Sequence, residues 1–246
     1  MCNVIAITGD SGSGKTSLAN IIKNIFNNSF VLECDRYHKW ERNNEQWKSF
    51  THLNPESNYI TKMCNDVFDL KIGNTVYQID YNHSTGCFTD KQRITSSDNI
   101  IVCGLHSLYM PDNIVNLKIF IDTDDNLKIP WKMKRDILKR GYSIEQIYTQ
   151  IQNRQSDYLT HIYPQKKVAN IIIQYYTDNV FDILTFDIIK EYSIYLKMHI
   201  KRNITFNPIP EIERFEYEGE YVVIYFTKLD NYNDVIKQML MSIKCT

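Results

Sequence analysis

Eight residues near the amino terminus, Gly9-Asp10-Ser11-Gly12-Ser13-Gly14-Lys15-Thr16, constrain this chain more than anything else in it. They fit the pattern G-x-x-x-x-G-K-[ST], which has meaning only between a strand and a helix. Both neighbours are present. Val4, Ile5 and Ile7 form an apolar run suited to a buried parallel strand, and Leu18, Ile21, Ile22 and Ile25 recur at helical spacing. Glycines let successive backbone N–H groups turn inward as an anion nest at a helix N-terminus. Lys15 then reaches the β- and γ-phosphates, and the Thr16 hydroxyl, with Ser17 beside it, faces a Mg²⁺ ion. The chain is expected to use a nucleoside triphosphate, with ATP and Mg²⁺ as cofactors. The loop does not say what receives the phosphate.

The rest of the chain narrows the setting. Its 28 basic and 29 acidic residues leave a formal charge of −1, without the basic excess of a general nucleic-acid binder. A hydrophobic content of 43% excludes a disordered chain. No stretch approaches the ~20 apolar residues of a membrane helix. Six cysteines without a CxxC pair read as reduced thiols of a cytoplasmic protein. Apolar runs at 2–8, 30–34, 99–103, 117–121 and 168–173 predict five parallel strands. Helices are expected over 16–26, 56–70, 123–140, where Pro130 should kink or restart the helix, and 143–158, where Ser143 and Gln146 form a capping box. A hairpin is expected from 75–80 and 86–94, then strands at 191–199 and 221–226 and a helix from about Tyr232. This is an α/β chain of the P-loop nucleoside triphosphate hydrolase type. It is read as a single three-layer domain over 1–246, with a mostly parallel five-stranded sheet, helices on both faces and an antiparallel extension.

A second set of residues follows in order: Asp35, His38 and Arg42; Thr51-His52-Leu53-Asn54-Pro55 with Asn58; Tyr81 to Gly86; Gly104-Leu105-His106; Trp131 to Asp136 with Arg140-Gly141; Arg154; and Pro164-Gln165-Lys166. From about residue 3 to 175 this pattern resembles the phosphoribulokinase/uridine kinase family. The resemblance implies that Asp35 is the general base, that His38 and Arg42 contact a phosphorylated sugar acceptor, and that His83 lies in an acceptor-side hairpin. It places Lys132 and Arg135 on the phosphates, Arg135 and Arg140 toward the acceptor, and Arg154 on a lid near the nucleotide. Thr16 and Asp35 would serve the metal, and Asp136 the metal or the positioning of its neighbours. The implied reaction moves the γ-phosphoryl of ATP to a hydroxyl of ribulose 5-phosphate. The clustered cations favour a phosphorylated acceptor over uridine or cytidine. A homodimer through the C-terminal strands is implied at family level only.

Read without the resemblance, some of these residues have plainer roles. Asp35 could cap a turn, and His83 could bond to its own turn. The six cations of 128–140 could be a solvated face, with Leu127, Trp131 and Leu138 opposite as the core stripe. Two positions depart from the family pattern. Cys103 stands where members carry a glutamate, which admits a catalytically weak, nucleotide-binding regulatory relative. Ser13 stands where plant-type members carry a regulatory cysteine.

Overall fold

A computed structural model describes residues 2–227 and 232–244. Strand β1 (Asn3–Gly9) leads through the glycine loop into α1 (Lys15–Ile25), then β2 (Ser29–Glu33) and α2 (Ile60–Lys71). Four short strands follow: β3 (Val76–Gln78), β4 (Tyr81–Asn82), β5 (Cys87–Phe88) and β6 (Gln92–Ile94). Next come β7 (Asn99–Cys103), β8 (Leu117–Thr123), α3 (Asp125–Arg140), α4 (Ile144–Asp157) and β9 (Ile171–Tyr176). The chain continues with β10 (Tyr195–Lys201), β11 (Thr205–Phe206), β12 (Ile212–Glu218), β13 (Tyr221–Phe226), α5 (Tyr232–Ser242) and β14 (Ile243–Lys244).

Eight strands form the main sheet in the order β12-β13-β10-β9-β8-β1-β7-β2. The five from β9 to β2 are parallel, and β10, β13 and β12 add antiparallel at one edge. The expected parallel sheet with an antiparallel extension is therefore the observed one. The apolar runs dictate it, because both sheet faces are covered. Val4 and Ala6 pack on one face with Leu32, Val67 and Phe120. Ile5 and Ile7 pack on the other with Leu18, Ile22, Ile119 and Met239. Alternate side chains of one strand thus feed two cores. β1 lies between β7 and β8, and the chain leaves it toward β2, so the glycine loop opens where the connections diverge.

Several boundaries differ from expectation. α2 starts at Ile60 because Asn54 caps a short turn over Pro55–Ser57 and Asn58 is extended, bridging to His38. The expected hairpin over 75–94 is two nested pairs, β3 with β6 and β4 with β5. The fifth parallel strand starts at Ile171, after a 3₁₀ turn, and the strand expected at 191–199 runs from Tyr195 to Lys201. Pro130 does not divide α3, which is continuous over its 16 residues. Core contacts of Leu127 and Met133, and ion pairs of Lys128 and Lys132, hold the turns on either side of it in line. The capping box of Ser143 and Gln146 opens α4 as expected. Cys2, Cys34, Cys64, Cys87 and Cys103 are free thiols; Cys245 lies outside the described residues. No described helix is long and apolar enough to cross a membrane.

Candidate active site

The glycine loop is a scaffold of short local bonds. Ser11 N–H donates to Asp10 Oδ1 at 2.6 Å and Ser13 N–H to the Asp10 carbonyl at 3.2 Å. Thr123 Oγ1 donates to the Ser13 carbonyl at 2.9 Å, tying the loop to the end of β8. Gly14 caps α1 with φ of 98° and no side-chain cap, so the first N–H groups of the helix are left to an external acceptor. Within the loop the Ser13 hydroxyl is buried without a partner. Lys15 Nζ donates to the Gly9 and Asp10 carbonyls at 3.0 and 2.7 Å. Burial lowers its amine from the ordinary lysine range. These groups fit a polyphosphate. Thr16 and Ser17 are exposed at the start of α1.

Helix α3 lies against this loop by its charged face; of the expected core stripe Leu127 is buried and Trp131 half-buried, and only Leu138 departs from it. Leu138 is 66% exposed, whereas Lys132 and Asp136 are buried. Gly12 makes the approach possible, since a Cβ there would meet Lys132 Cβ at 2.8 Å. Asp136 is the hub of the face. Its Oδ2 accepts from Lys132 Nζ at 2.6 Å, and its Oδ1 meets Arg135 Nε at 2.7 Å and Arg140 Nη1 at 3.2 Å. Burial opposes ionisation, but these cations outweigh it and hold the carboxyl at about 2. With no exposed surface and three cationic partners, Asp136 is placed to anchor the cations, the positioning role that was one of the two expected for it. Arg135 also reaches Ser11 Oγ at 3.3 Å. The Lys132 amine is pushed down to about 8 by burial and by Arg154, despite Asp136. The two shifts agree once the excess is counted: Lys132, Arg135 and Arg140 share one carboxylate.

On the other side of the loop, Asp35 sits in a 3₁₀ turn directly after β2. His38 Nε2 lies 3.5 Å from Asp35 Oδ1 and His83 Nε2 lies 3.4 Å from Oδ2. Partial burial alone would raise this carboxyl; His38, His83, Lys15 and Arg140 outweigh that and hold it below the usual range. Asn58 donates its amide hydrogens to His52 and Asn54 carbonyls, so its Oδ1 accepts from His38 Nδ1 at 2.8 Å. His83 draws in Arg42 and Arg140, the two arginines expected toward the acceptor. Arg42 donates to its carbonyl, and Arg140 Nη2 lies 3.5 Å from its Nδ1. Gly86 is needed here, with φ of 78° and the Arg42 side chain where a Cβ would stand. His83 is thus part of the site rather than a turn residue bonded to itself. Arg154 of α4 lies over the cavity beside Asp10, Ser11 and Lys132.

The structure therefore brings the expected residues into one cleft, with Lys15, Lys132, Arg135 and Arg154 around the loop and Asp35, His38, Arg42, His83 and Arg140 beside it. Cys103 ends β7 level with Ile7 and Glu33. Burial pushes its thiol up to about 12, so it stays protonated. Three further side chains had no expected role. Glu33 Oε2 lies 3.8 Å from His83 Nε2, and its signal was a second acid two residues before Asp35. Lys128 pairs with Asp10 at 2.9 Å and Asp125 at 2.6 Å, one turn before Lys132. His52 meets Arg154 at 3.2 Å, a contact across 102 residues for which the sequence carries no signal.

A parallel sheet with a glycine loop at its divergence point, a lysine at the helix start and a carboxylate at the next strand end defines a P-loop kinase-type chain. The family model of the phosphoribulokinase/uridine kinase family matches residues 4–182, and the chain belongs to that family. It is 31% identical over 175 residues to the phosphoribulokinase of Synechocystis sp., covering 70% of this chain and 53% of that one. It is 33% identical over 192 residues to the chloroplastic phosphoribulokinase of Chlamydomonas reinhardtii, covering 70% and 51%. It is also 29% identical over 188 residues to uridine-cytidine kinase A of Dictyostelium discoideum, covering 72% and 37%. The chain spans about half the length of the phosphoribulokinases it matches. Among solved structures, phosphoribulokinase from Rhodobacter spheroides superimposes with a TM-score of 0.71 at 20% identity, over 98% of this chain and 95% of that one.

Proposed function

We propose that the protein transfers the γ-phosphoryl group of ATP to a hydroxyl of ribulose 5-phosphate. One observation carries the choice of acceptor: Arg42 and Arg140 converge on His83 beside Asp35, so two guanidiniums flank the candidate base. Guanidiniums suit a phosphate dianion, and uridine or cytidine offers none. The curated phosphoribulokinases among its relatives support the same reading.

Asp35, held ionised, takes the proton of the attacking hydroxyl as its oxygen bonds the γ-phosphorus and the bond to the β,γ-bridging oxygen breaks. Lys15, Lys132 and Arg135 supply the positive charge that meets the moving phosphoryl, and Arg154 covers the nucleotide side. Asp136 orients Lys132, Arg135 and Arg140. The donors suit Mg²⁺, which needs few protein oxygens: Thr16 and Asp35 would hold it, and Cys103 would not. Among the described residues no group of three or more His, Cys, Asp or Glu side chains is arranged to enclose a metal. Held there, Mg²⁺ would supply charge neutralisation to the polyphosphate.

The test is steady-state turnover of Mg·ATP with ribulose 5-phosphate, with uridine, with cytidine and without acceptor. Ribulose 5-phosphate should give the highest kcat/KM. Preference for a nucleoside would reassign the acceptor. No turnover with any of them would favour the regulatory relative.

A further inference from the structure

The loop that carries the acceptor side is fastened to the helix that carries the nucleotide-side arginine. His52 Nδ1 lies 3.2 Å from Arg154 Nη2. Arginine has no acceptor atom, so the bond runs from Arg154 to a lone pair on Nδ1, and the His52 proton sits on Nε2. Burial, reinforced by Arg154, holds this imidazole well below its ordinary range and keeps it neutral. Among the described residues no carboxylate pairs with Arg154, so its oriented partner is this neutral ring.

The ring itself is immobilised. Trp47 stacks on its face at 3.7 Å between centroids and 7° between planes. The ring of His38 meets it edge-on at 4.8 Å. The His52 carbonyl accepts from Asn58 Nδ2 at 3.2 Å and His106 Nε2 at 3.3 Å. A continuous line of contacts therefore runs from Asp35 through His38 and His52 to Arg154.

A second tie lies next to the first. Thr51 Oγ1 donates to Asp157 Oδ2 at 2.7 Å. Thr51 and His52 are consecutive on the loop, and Arg154 and Asp157 are one turn apart on α4. Two ties spaced this way fix how α4 is rotated as well as where it lies. Rotation decides whether Arg154 points into the cavity beside Asp10 and Lys132.

We propose that His52, with Thr51 as a second tie, is a positioning residue that couples the acceptor loop to Arg154, so that a phosphorylated acceptor and a nucleoside triphosphate bind cooperatively. The proposal rests on the kinase reading above. Acceptor binding orders the loop through His38 and Arg42, and the ordered loop presents Arg154 to the polyphosphate. Linkage makes the effect reciprocal.

Calorimetric titration of the protein with the Mg²⁺ complex of the β,γ-imido analogue of ATP, with and without saturating ribulose 5-phosphate, reads the coupling directly. The acceptor should tighten the analogue in the wild type by about 5- to 150-fold, the common range for coupled sites. His52→Phe keeps the stack on Trp47 but removes Nδ1, and should bring that factor close to one without changing acceptor affinity in the absence of nucleotide. His52→Asn returns an oxygen acceptor near the Nδ1 position and should restore part of it. Asp157→Ala cuts only the second tie, leaves Thr51 bonded to Leu53 N–H, and should reduce the factor. It keeps the test open if His52→Phe does not fold. Independent binding in the wild type, or wild-type coupling in a folded His52→Phe or in Asp157→Ala, would overturn the proposal. Equal loss in His52→Phe and His52→Asn would also overturn it, since the acceptor atom would then be irrelevant. A wild type that binds no analogue would overturn the kinase reading, and the proposal with it.

Discussion

Lys132 sits among more positive charge than its one carboxylate balances, and this gives it a pH dependence within reach. Its amine titrates near 8, below the ordinary lysine value, so it is charged below that pH and loses its proton above it. If the ammonium meets the transferring phosphoryl, kcat/KM for ATP should fall as pH rises through about 8. Lys132→Arg, which keeps its charge, should remove that limb; a limb that persists in the variant would assign it elsewhere. Cys103 poses the opposite case, a neutral thiol beside Lys15, Glu33 and Asp35. Cys103→Glu would add a hard oxygen near Thr16 and should lower the Mg²⁺ concentration for half-maximal rate. An unchanged requirement would show that the remaining oxygens already suffice. Most site residues were legible because the motifs place them at strand ends and on one helix arc. Glu33 was missed despite standing two residues before Asp35, because its role depends on His83 crossing from another segment.

Helix α3 shows what periodicity conveys and what it omits. The 3.6-residue period correctly gathers Lys132, Arg135, Asp136 and Arg140 on one arc, but it cannot say which side of the helix is covered. Here the charged arc is covered, as are Leu127 and Met133, because Gly12 opens room for Lys132 and a single carboxylate makes burial tolerable. Asp136→Asn should therefore be costly. Removing one partner of a buried ionic group typically destabilises by about 3–5 kcal/mol. Chemical denaturation should show the loss, and a cost below about 1 kcal/mol would mean the cations find other partners. The pH sense follows from the depressed carboxyl. Its contribution is complete above the ordinary carboxylate range and is lost as pH falls toward about 2. Helix α4 was read with fewer errors because its capping box is local, needing only Ser143 and Gln146.

Across the whole molecule, the parallel strands were legible as short apolar runs, most plainly in β1, β7 and β8, where both faces are buried. β13 was found at its observed bounds from its apolar run, although only Val223, Ile224 and Phe226 of it are buried. β12 was not: Phe215 and Tyr217 alternate with Arg214 and Glu216, but the run holds few apolar residues among its charges, and all four are exposed. Ligands should stabilise the assembled cleft by mass action. Mg·ATP at a hundred times its Kd contributes about 2.7 kcal/mol, which at this chain length raises Tm by roughly 5–10 °C. Ribulose 5-phosphate added to Mg·ATP should raise Tm further and uridine should not; a rise with uridine alone would point to the other acceptor class. The position of β1 has one more consequence. Its partners are distant in sequence, with Asn3 level with Asn99 and Ile5 level with Leu117. A ribosome must deliver both partner strands before the first strand has neighbours on either side. The glycine loop, made before either partner strand, therefore gains its full scaffold only when the centre of the sheet has closed.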